Sequence, residues 1–420
     1  MSSVIIAGDT SGSITLAAPA VAGSGVLTLP VATDTLVGKA TTDTLTNKTL
    51  TAPVLGTPAS GILTSCTGLN YDGFKNRIIN GAMVHDQRNA GASVNVASEE
   101  YTLDRWYFVN SQTGKLTCQQ NAGAVTPPAG FKNYLGVTSA SSYAVLAADV
   151  FSLKQSIEGF NTADLGFGAA GASTVTVSFW VRSSLTGTFG ASLNNSAFDR
   201  SFVFTYTINA ANTWEYKTVT VAGDTSGTWI GATNGIGLRI YFNLGVGSTY
   251  SGGTANTWNA GGYVSPSGTT SVVGTNGATF YITGVQLEKG STATSFDYRP
   301  YGTELTLCQR YYYRDTPPGT GLTVGGNGTC ISATQANVNC EFPVPMRDRP
   351  TALEQSGTAT DYSVGDIGAI ACSAVPAFAN ASVYRSIVTI TVASGLTLGF
   401  AMRFRAANGT AGYLGWSAEL

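Results

Sequence analysis

The chain has 420 residues, and its 22 Lys and Arg against 24 Asp and Glu give a formal net charge of −2. This near balance argues against a general nucleic-acid-binding protein, which needs a surplus of positive charge to face phosphates. No run of 18 apolar residues occurs, so no membrane insertion is predicted.

The composition indicates β structure. Charged residues make up only 11% of the chain and Gly number 51, which favours strands joined by many turns.

The first residues lack a basic segment followed by an apolar run, so no signal peptide is predicted. The six scattered cysteines indicate reduced thiols in a protein assembled in a cytoplasm. A disulfide between Cys330 and Cys340 across a hairpin is the alternative.

Residues 1–71 differ from the rest of the chain. From Thr49 to Tyr71 there is no charged residue, and "DTL" occurs at both 34–36 and 43–45. A single copy of such a segment buries too little area to offset its ordering entropy. Three copies wound around one axis would supply one another's core, so the sequence predicts an extended, homotrimeric shaft. A disordered linker is the alternative.

Residues 72–300 are predicted to form one antiparallel β-sandwich. Four stretches alternate strictly between apolar and polar side chains, at 173–181, 201–208, 236–244 and 279–290. In the third, Ile236 to Leu244 are expected to point inward at every second position and Arg239, Tyr241 and Asn243 outward. A bulge is expected at Gly284. Residues 245–278 form a long loop, and such loops in compact domains are usually functional or disordered.

Residues 301–420 are predicted to form a smaller C-terminal β-sandwich. A short helix is expected over 303–314, with Thr303 as its N-cap and Tyr312 on its buried face. Strand patterns follow around Val338–Phe342, over 384–392, and over 398–404, where Leu398, Phe400, Met402 and Phe404 share one face.

The search for catalytic residues is mostly negative, so the chain is not predicted to be an enzyme. His85 is the only histidine, and any His-based triad or metal site would have to use it. No phosphate-binding glycine motif stands between a strand and a helix. Glu99 and Glu100 are adjacent on a predicted strand and point to opposite faces, which does not suit a pair of glycosidase carboxylates. No cofactor or metal is predicted.

Several phrases resemble bacteriophage tail-fibre proteins. "LTNKTLTAPVLGTP" (45–58) is similar to their shaft segments, while "NRIINGAMVHDQRNAG" (76–91) and "YTLDRWYF" (101–108) resemble the opening of a jelly-roll domain related to carbohydrate-binding modules. "GVQLEKGSTATSFDYRPYG" (284–302) resembles that domain's last strand. "FPVPMRDRPTAL" (342–353) and "GWSAEL" (415–420) resemble the C-terminal domain of such fibres.

The resemblance implies a homotrimeric virion fibre. Residues 1–71 would attach to a phage tail, baseplate or capsid protein, residues 72–300 would form the jelly roll, and residues 301–420 would form the host-facing C-terminal domain. In the family's marker at 104–106, we expect Asp104 to pair with Arg105 and Trp106 to pack in the core. Gln286 and Glu288 are expected to satisfy backbone groups at the sheet edge; a calcium ion there is the alternative.

Sugar binding requires exposed aromatic faces and polar groups for the hydroxyls. The five candidates in this chain lie near turns or in the long loop: Tyr250, Trp258, Tyr263, Trp214 and Trp229. Tyr250, Trp258 and Tyr263 stand out because no strand pattern explains them, although the loop that carries them could instead pack against a neighbouring subunit.

The sequence therefore predicts an all-β, homotrimeric phage fibre on the virion that binds a bacterial surface glycan or protein. Threefold symmetry would raise a modest affinity by avidity. Two alternatives remain open, namely a capsid or baseplate decoration fibre whose role is mainly assembly, and a glycan-degrading tailspike.

Overall fold

The computed structural model describes residues 3–7, 10–17, 75–365 and 369–420. Near the N-terminus, β1 (Ser3–Ala7) and β2 (Ser13–Ala17) pair as an antiparallel hairpin. This hairpin belongs to a compact unit, Met1–Cys66, distinct from the unit Thr67–Leu420. The remainder of the predicted shaft and attachment segment lies outside the described residues.

The central part of the second unit is an antiparallel β-sandwich, here called the central sandwich. Its strands in chain order are β3 (Val94–Asn95), β4 (Glu99–Tyr101), β5 (Tyr107–Asn110), β6 (Leu116–Gln120), β7 (Leu135–Ser139), β8 (Val150–Glu158), β9 (Val175–Ser183), β10 (Gly187–Asn194), β11 (Arg200–Ile208), β12 (Glu215–Val221), β13 (Ile236–Val246), β14 (Thr257–Ala260) and β15 (Thr279–Lys289).

These strands form two sheets. One has seven strands in the order β14-β11-β10-β13-β8-β5-β4, and the other has six in the order β12-β9-β15-β7-β6-β3. A single hydrophobic core lies between them, because alternate residues of each strand point to the same face. On β9 the inward residues from Val175 to Val181 are fully buried, and the inward residues of β11 are also buried. The predicted alternation is confirmed for both strands.

A bulge interrupts β15 where the sequence predicts one. The pairing register between β15 and β9 shifts between Thr283 and Gln286, and Gly284 has a φ of +62°. A Cβ atom at Gly284 would lie 2.6 Å from the ring of Phe131. Glycine is therefore required here both by the left-handed backbone and by the close approach of that ring.

The last part of the chain forms the C-terminal sandwich, preceded by helix α1 (Tyr301–Gln309). Its strands are β16 (Tyr312–Asp315), β17 (Thr323–Cys330), β18 (Gln335–Glu341), β19 (Glu354–Gln355), β20 (Tyr362–Val364), β21 (Ile370–Ala371), β22 (Ala377–Ala381), β23 (Arg385–Thr391), β24 (Ala401–Ala406) and β25 (Leu414–Ser417). A seven-stranded sheet in the order β21-β20-β24-β17-β18-β23-β22 faces a three-stranded sheet, β16-β25-β19, across a separate core.

Two sequence predictions in this domain are corrected. Pro300, and not Thr303, occupies the N-cap position of helix α1, which ends at Gln309. Tyr312 is therefore buried at the start of a strand and not on a helix. Leu398 and Phe400 precede β24 in a turn and are 71% and 65% exposed. The alternating pattern placed both side chains on the same face as Met402 and Phe404, but β24 begins only at Ala401. Cys330 and Cys340 are buried free thiols.

Buried charges join the two sandwiches within the second unit. Arg105 of the central sandwich pairs with Glu419, and its guanidinium stacks on the Tyr311 ring at 3.6 Å. Glu158 at the end of β8 accepts hydrogen bonds from Arg310 Nη2 at 2.6 Å and from Tyr311 Oη at 2.6 Å. The junction is therefore built from charge-assisted hydrogen bonds, which fix geometry more strictly than apolar contact does.

No helix in the described part of the chain has the length and apolar character needed to cross a bilayer.

Candidate functional site

A cleft of about 420 Å³ lies on the outer face of the seven-stranded sheet of the central sandwich. Its floor comes from the outward residues of β4, β5, β8 and β13, and its wall from neighbouring loops. The residues that line it are Glu99, Tyr107, Val109, Asn110, Ser111, Ala148, Val150, Lys154, Phe198, Arg239, Tyr241, Tyr250 and Val264.

A row of three residues across adjacent strands forms the centre of the floor. Lys154 lies directly opposite Tyr241 of β13 on one side and opposite Tyr107 of β5 on the other. Their neighbours along each strand, such as Leu153 and Phe108, point into the sandwich core. Because the side-chain period of a strand is two, burial of the inward residues fixes these three on the outer face.

The long loop after β13 forms one wall of the cleft. Tyr250 packs beside Val150, Tyr241 and Val264. The loop is held on the sheet by Asn243, whose Nδ2 donates to Thr269 Oγ1 at 2.7 Å. This anchoring covers part of the outer face of the sheet and leaves the cleft beside it.

Lys154 is a half-buried cation whose ammonium group faces two aromatic rings. Its Nζ lies 4.3 Å from the centroid of the Tyr107 ring and 6.0 Å from that of Tyr241. Among the described residues, no carboxylate lies within 4.0 Å of Lys154 Nζ. Burial lowers the pKa of Lys154 to about 8, and Arg239 acts in the same direction. Its positive charge is thus disfavoured by its surroundings.

The sign of this effect on stability follows from the lowered pKa. Below pH 8 the folded and unfolded states both carry the Lys154 proton, and the folded state bears the full cost of burying the charge. Between about pH 8 and 10.5 only the unfolded state keeps the proton, so this lysine's contribution to the free energy of unfolding becomes more favourable as pH rises.

Two buried polar atoms in the cleft have no hydrogen-bond partner in the described part of the protein. They are Nε of Arg239 and Oδ1 of Asn110, and Asn110 is only 2% exposed. Buried polar atoms in native proteins are nearly always paired with protein, water or ligand. Both atoms are shielded from the open space of the cleft, so they belong to its wall and are not contact points for a bound molecule.

A second groove of about 500 Å³ adjoins the cleft. Tyr107 and Lys154 line both spaces, and the far side of the groove is formed by residues 347–354 and 417–420 of the C-terminal sandwich. Arg347 is fixed there because it donates to the carbonyl oxygens of Ala418 at 2.6 Å and Asn234 at 2.8 Å. A ligand longer than the cleft would therefore extend towards the C-terminal sandwich.

Of the five aromatic residues predicted from the sequence, Tyr250 lies in the cleft. Tyr263 is in the same loop, and its carbonyl oxygen accepts from Asn194 Nδ2 at 3.0 Å, but it does not line the cleft. Trp214 lies elsewhere, edge-on to the Tyr134 ring at 5.5 Å, with Nε1 donating to the carbonyl oxygen of Thr126.

Trp229 and Trp258 meet each other at one edge of the sandwich. Their ring centroids are 5.3 Å apart, and both rings contact Phe167 edge-on. Trp258 Nε1 donates to the carbonyl oxygen of Ala222 at 2.7 Å. Both side chains pack partly against the main core. The structure thus places them in a cluster apart from Tyr250.

The marker residues at 104–106 are arranged differently from the prediction. Arg105 does not pair with Asp104; it pairs with Glu419. Asp104 instead accepts from Gln87 Nε2 at 2.7 Å, and burial raises its pKa to about 6. Arg105 has a φ of +70°, and this turn directs the neighbouring side chains apart. Trp106 is fully buried in the core, as expected.

The side chains of Gln286, Glu288 and His85 are held by contacts within the chain itself. Both carboxylate oxygens of Glu288 accept hydrogen bonds, Oε1 from Gln286 Nε2 and Oε2 from Thr294 Oγ1. His85 is buried against the Tyr301 ring, 4.5 Å between centroids, and burial lowers its pKa. Among the described residues, no three His, Cys, Asp or Glu side chains are grouped as metal ligands.

Sequence reasoning missed most of the floor of the cleft. It placed Arg239 and Tyr241 on the outer face of a strand but assigned them no role, and it did not single out Tyr107 or Lys154. The available signal was an aromatic or charged residue at an outward position in the middle of a strand. Their convergence depends on pairing between β5, β8 and β13, which are far apart in the chain.

Comparison with known proteins gave similarity to solved structures only. No family model matches the chain, and no curated protein matches it. A putative sugar-binding protein from Bacteroides thetaiotaomicron is 12% identical, with a TM-score of 0.30, over 51% of this chain and 100% of that one. A family 11 carbohydrate-binding module from Clostridium thermocellum, in complex with a β-1,3-1,4-mixed-linked tetrasaccharide, is 9% identical, with a TM-score of 0.24, over 49% of this chain and 100% of that one.

The enzymatically active domain of tailspike protein 4 from bacteriophage CBA120 is also similar. It is 12% identical, with a TM-score of 0.28, and the match covers 51% of this chain and 21% of that chain. The chain thus spans about a fifth of the tailspike. TM-scores of this size carry no argument about function. The all-β class is established by the antiparallel sheets of the chain itself.

Proposed function

We propose that this protein binds a bacterial surface glycan in the cleft on the outer face of the central sandwich's seven-stranded sheet. The observation that carries the proposal is the composition of the cleft, in which tyrosine rings lie beside Lys154, whose ammonium group forms no hydrogen bond or ion pair with a described residue. Its volume of about 420 Å³ is within the usual range for small-ligand sites. Tyrosine rings offer faces for sugar C–H groups, and amide and guanidinium groups suit hydroxyls.

We propose binding without cleavage. Among the described residues that line the cleft, Glu99 is the one carboxylate, and its Oε2 accepts from Tyr107 Oη at 2.9 Å. Glycoside hydrolysis ordinarily requires two carboxyl groups on opposite sides of the scissile bond. The tailspike alternative therefore has less support than a binding role.

The wider role that we propose is that of a phage fibre on the virion surface, as the sequence resemblance implies. Residues 1–71 would attach to the particle, on the tail, baseplate or capsid, and the sandwiches would face the host. Three chains would associate through the shaft, and a solution mass three times the 43.3 kDa of one chain is expected from light scattering. A mass equal to one chain would contradict the trimer but not the cleft.

The binding proposal is tested with the full-length chain on immobilised bacterial surface polysaccharides and on whole cells. We expect saturable binding to a subset of the polysaccharides and to the cells that display them. Individual sites of this kind bind weakly, so each immobilised glycan should be presented at high density to allow multivalent contact. Binding to cells that persists after their surface glycans are removed would favour a protein receptor and contradict the proposal.

A further inference from the structure

We infer that the cleft and its adjoining groove select an acidic glycan, one that carries carboxylate or phosphate groups, and that Lys154 is the residue that determines this selection. The inference rests on the proposed glycan-binding function and adds the chemical class of the ligand. Lys154 lies where the two spaces meet, since it lines both of them.

The first support is the unsatisfied ammonium group. A lysine presents three donors, and Lys154 Nζ contacts the faces of two tyrosine rings. No hydrogen bond or ion pair joins it to another described residue. In contrast, Lys217, on the six-stranded sheet, bonds to Glu215 Oε2 at 2.6 Å. The donors of Lys154 therefore remain available in a space large enough for a ligand.

The second support is the state of the other charges that line the two spaces. The cations Arg239 and Arg347 donate to backbone carbonyl oxygens and form no ion pair within 4.0 Å with a described carboxylate, and Arg349 is exposed. Of the acidic groups, Glu419 is neutralised by its pair with Arg105. Glu99, Glu354 and Asp348 keep their negative charge, but each accepts a hydrogen bond from another group and none forms an ion pair with Lys154.

The third support is the energetic cost of this lysine. Burial and the nearby Arg239 disfavour the charge more than Glu99 favours it, and a neutral side chain of similar size would avoid that cost. Groups held in a disfavoured charge state are concentrated at functional sites. A carboxylate or phosphate on a glycan would supply the opposite charge in a partly desolvated position, where such a contact is stronger than at an open surface.

The test uses matched acidic and neutral glycans with the full-length chain. The probes are polygalacturonate, alginate and hyaluronan, each also in its carboxyl-reduced, neutral form, together with polyglycerol phosphate and dextran. We expect at least one acidic probe to bind roughly tenfold or more tightly than its neutral form, with an affinity that falls as salt is raised. Preference for polyglycerol phosphate over the polyuronates would identify phosphate as the recognised group.

Variants assign the effect to Lys154. K154M should reduce binding of the acidic probe roughly tenfold or more, while K154R, which keeps the charge, should retain most of it. The matched control is K115M, because Lys115 also lies over a tyrosine, 5.0 Å from the centroid of Tyr143, but outside both spaces. K154M is expected to fold, and unfolding in urea would verify that its stability does not fall.

The outcomes separate this inference from the function on which it rests. Equal binding of the acidic and the carboxyl-reduced probes, or binding of dextran alone, would overturn the inference. Either result would leave the proposed glycan binding in place. Undiminished binding of the acidic probe by K154M would overturn the role of Lys154. If the protein binds none of these probes and none of the bacterial surface polysaccharides, the proposed function itself is contradicted.

Discussion

Replacing Glu419 with alanine should lower the free energy of unfolding by about 3–5 kcal/mol, the range measured when one partner of a buried ion pair is removed. Glu419 pairs with Arg105, whose side chain is 1% exposed, and it lies 3.4 Å from Arg88 Nη1. Without the carboxylate, Arg105 keeps only a hydrogen bond to the carbonyl oxygen of Ser156 and its contact with the Tyr311 ring. A buried charge would then lack its counter-ion.

The matched control is E341A, which removes an exposed carboxylate. Glu341 lies 3.7 Å from Arg385, and both side chains are more than half exposed, so the expected change is about 0–1 kcal/mol. Urea unfolding of both variants gives the comparison. The double variant R105M/E419A should recover part of the lost stability because the isolated charge is removed as well. Equal stabilities of E419A and E341A would show that the junction does not depend on this pair.

Replacing Ala148 with tryptophan should reduce glycan binding roughly 100-fold or more, which corresponds to about 2.7 kcal/mol. Ala148 is exposed and lines the cleft, so an indole side chain can occupy the space that the sugar needs. No core contact is lost, and the free energy of unfolding should stay close to that of the original protein.

The control for this variant is A147W. Ala147 is also exposed but does not line the cleft, so the same bulky side chain one position away should leave affinity within about twofold. Isothermal titration with the tightest glycan found for the full-length chain measures both. Binding by A148W that matches the original protein would place the glycan site elsewhere on the molecule.

Strand patterning explains why the fold was largely predictable. β9, β11, β13 and β15 each show an apolar face with a period of two, and that face is the core. Alternation failed at Leu398 and Phe400, because the same period continues through the turn that precedes β24. It also could not distinguish the helical from the extended conformation around Tyr312, which is buried in either case.

The candidate site was much less predictable. Tyr250 was identified because no strand pattern explained it, but the same reasoning also selected Trp258, which packs against Phe202 at the edge of the sandwich. Loop aromatics can face solvent or core, and sequence alone does not separate the two. Lys154 and Tyr107 become neighbours only through pairing of β5 with β8, a long-range contact that no local signal specifies.

The location of a bound sugar tests the central claim most directly. A crystal structure of the protein with its tightest-binding oligosaccharide should show a sugar ring between Tyr250 and Lys154 on the outer face of the seven-stranded sheet. An oxygen atom of the ligand is expected within hydrogen-bonding distance of Lys154 Nζ. A sugar bound instead at the Trp229–Trp258 cluster or beside Trp214, with the cleft holding only water, would contradict this account.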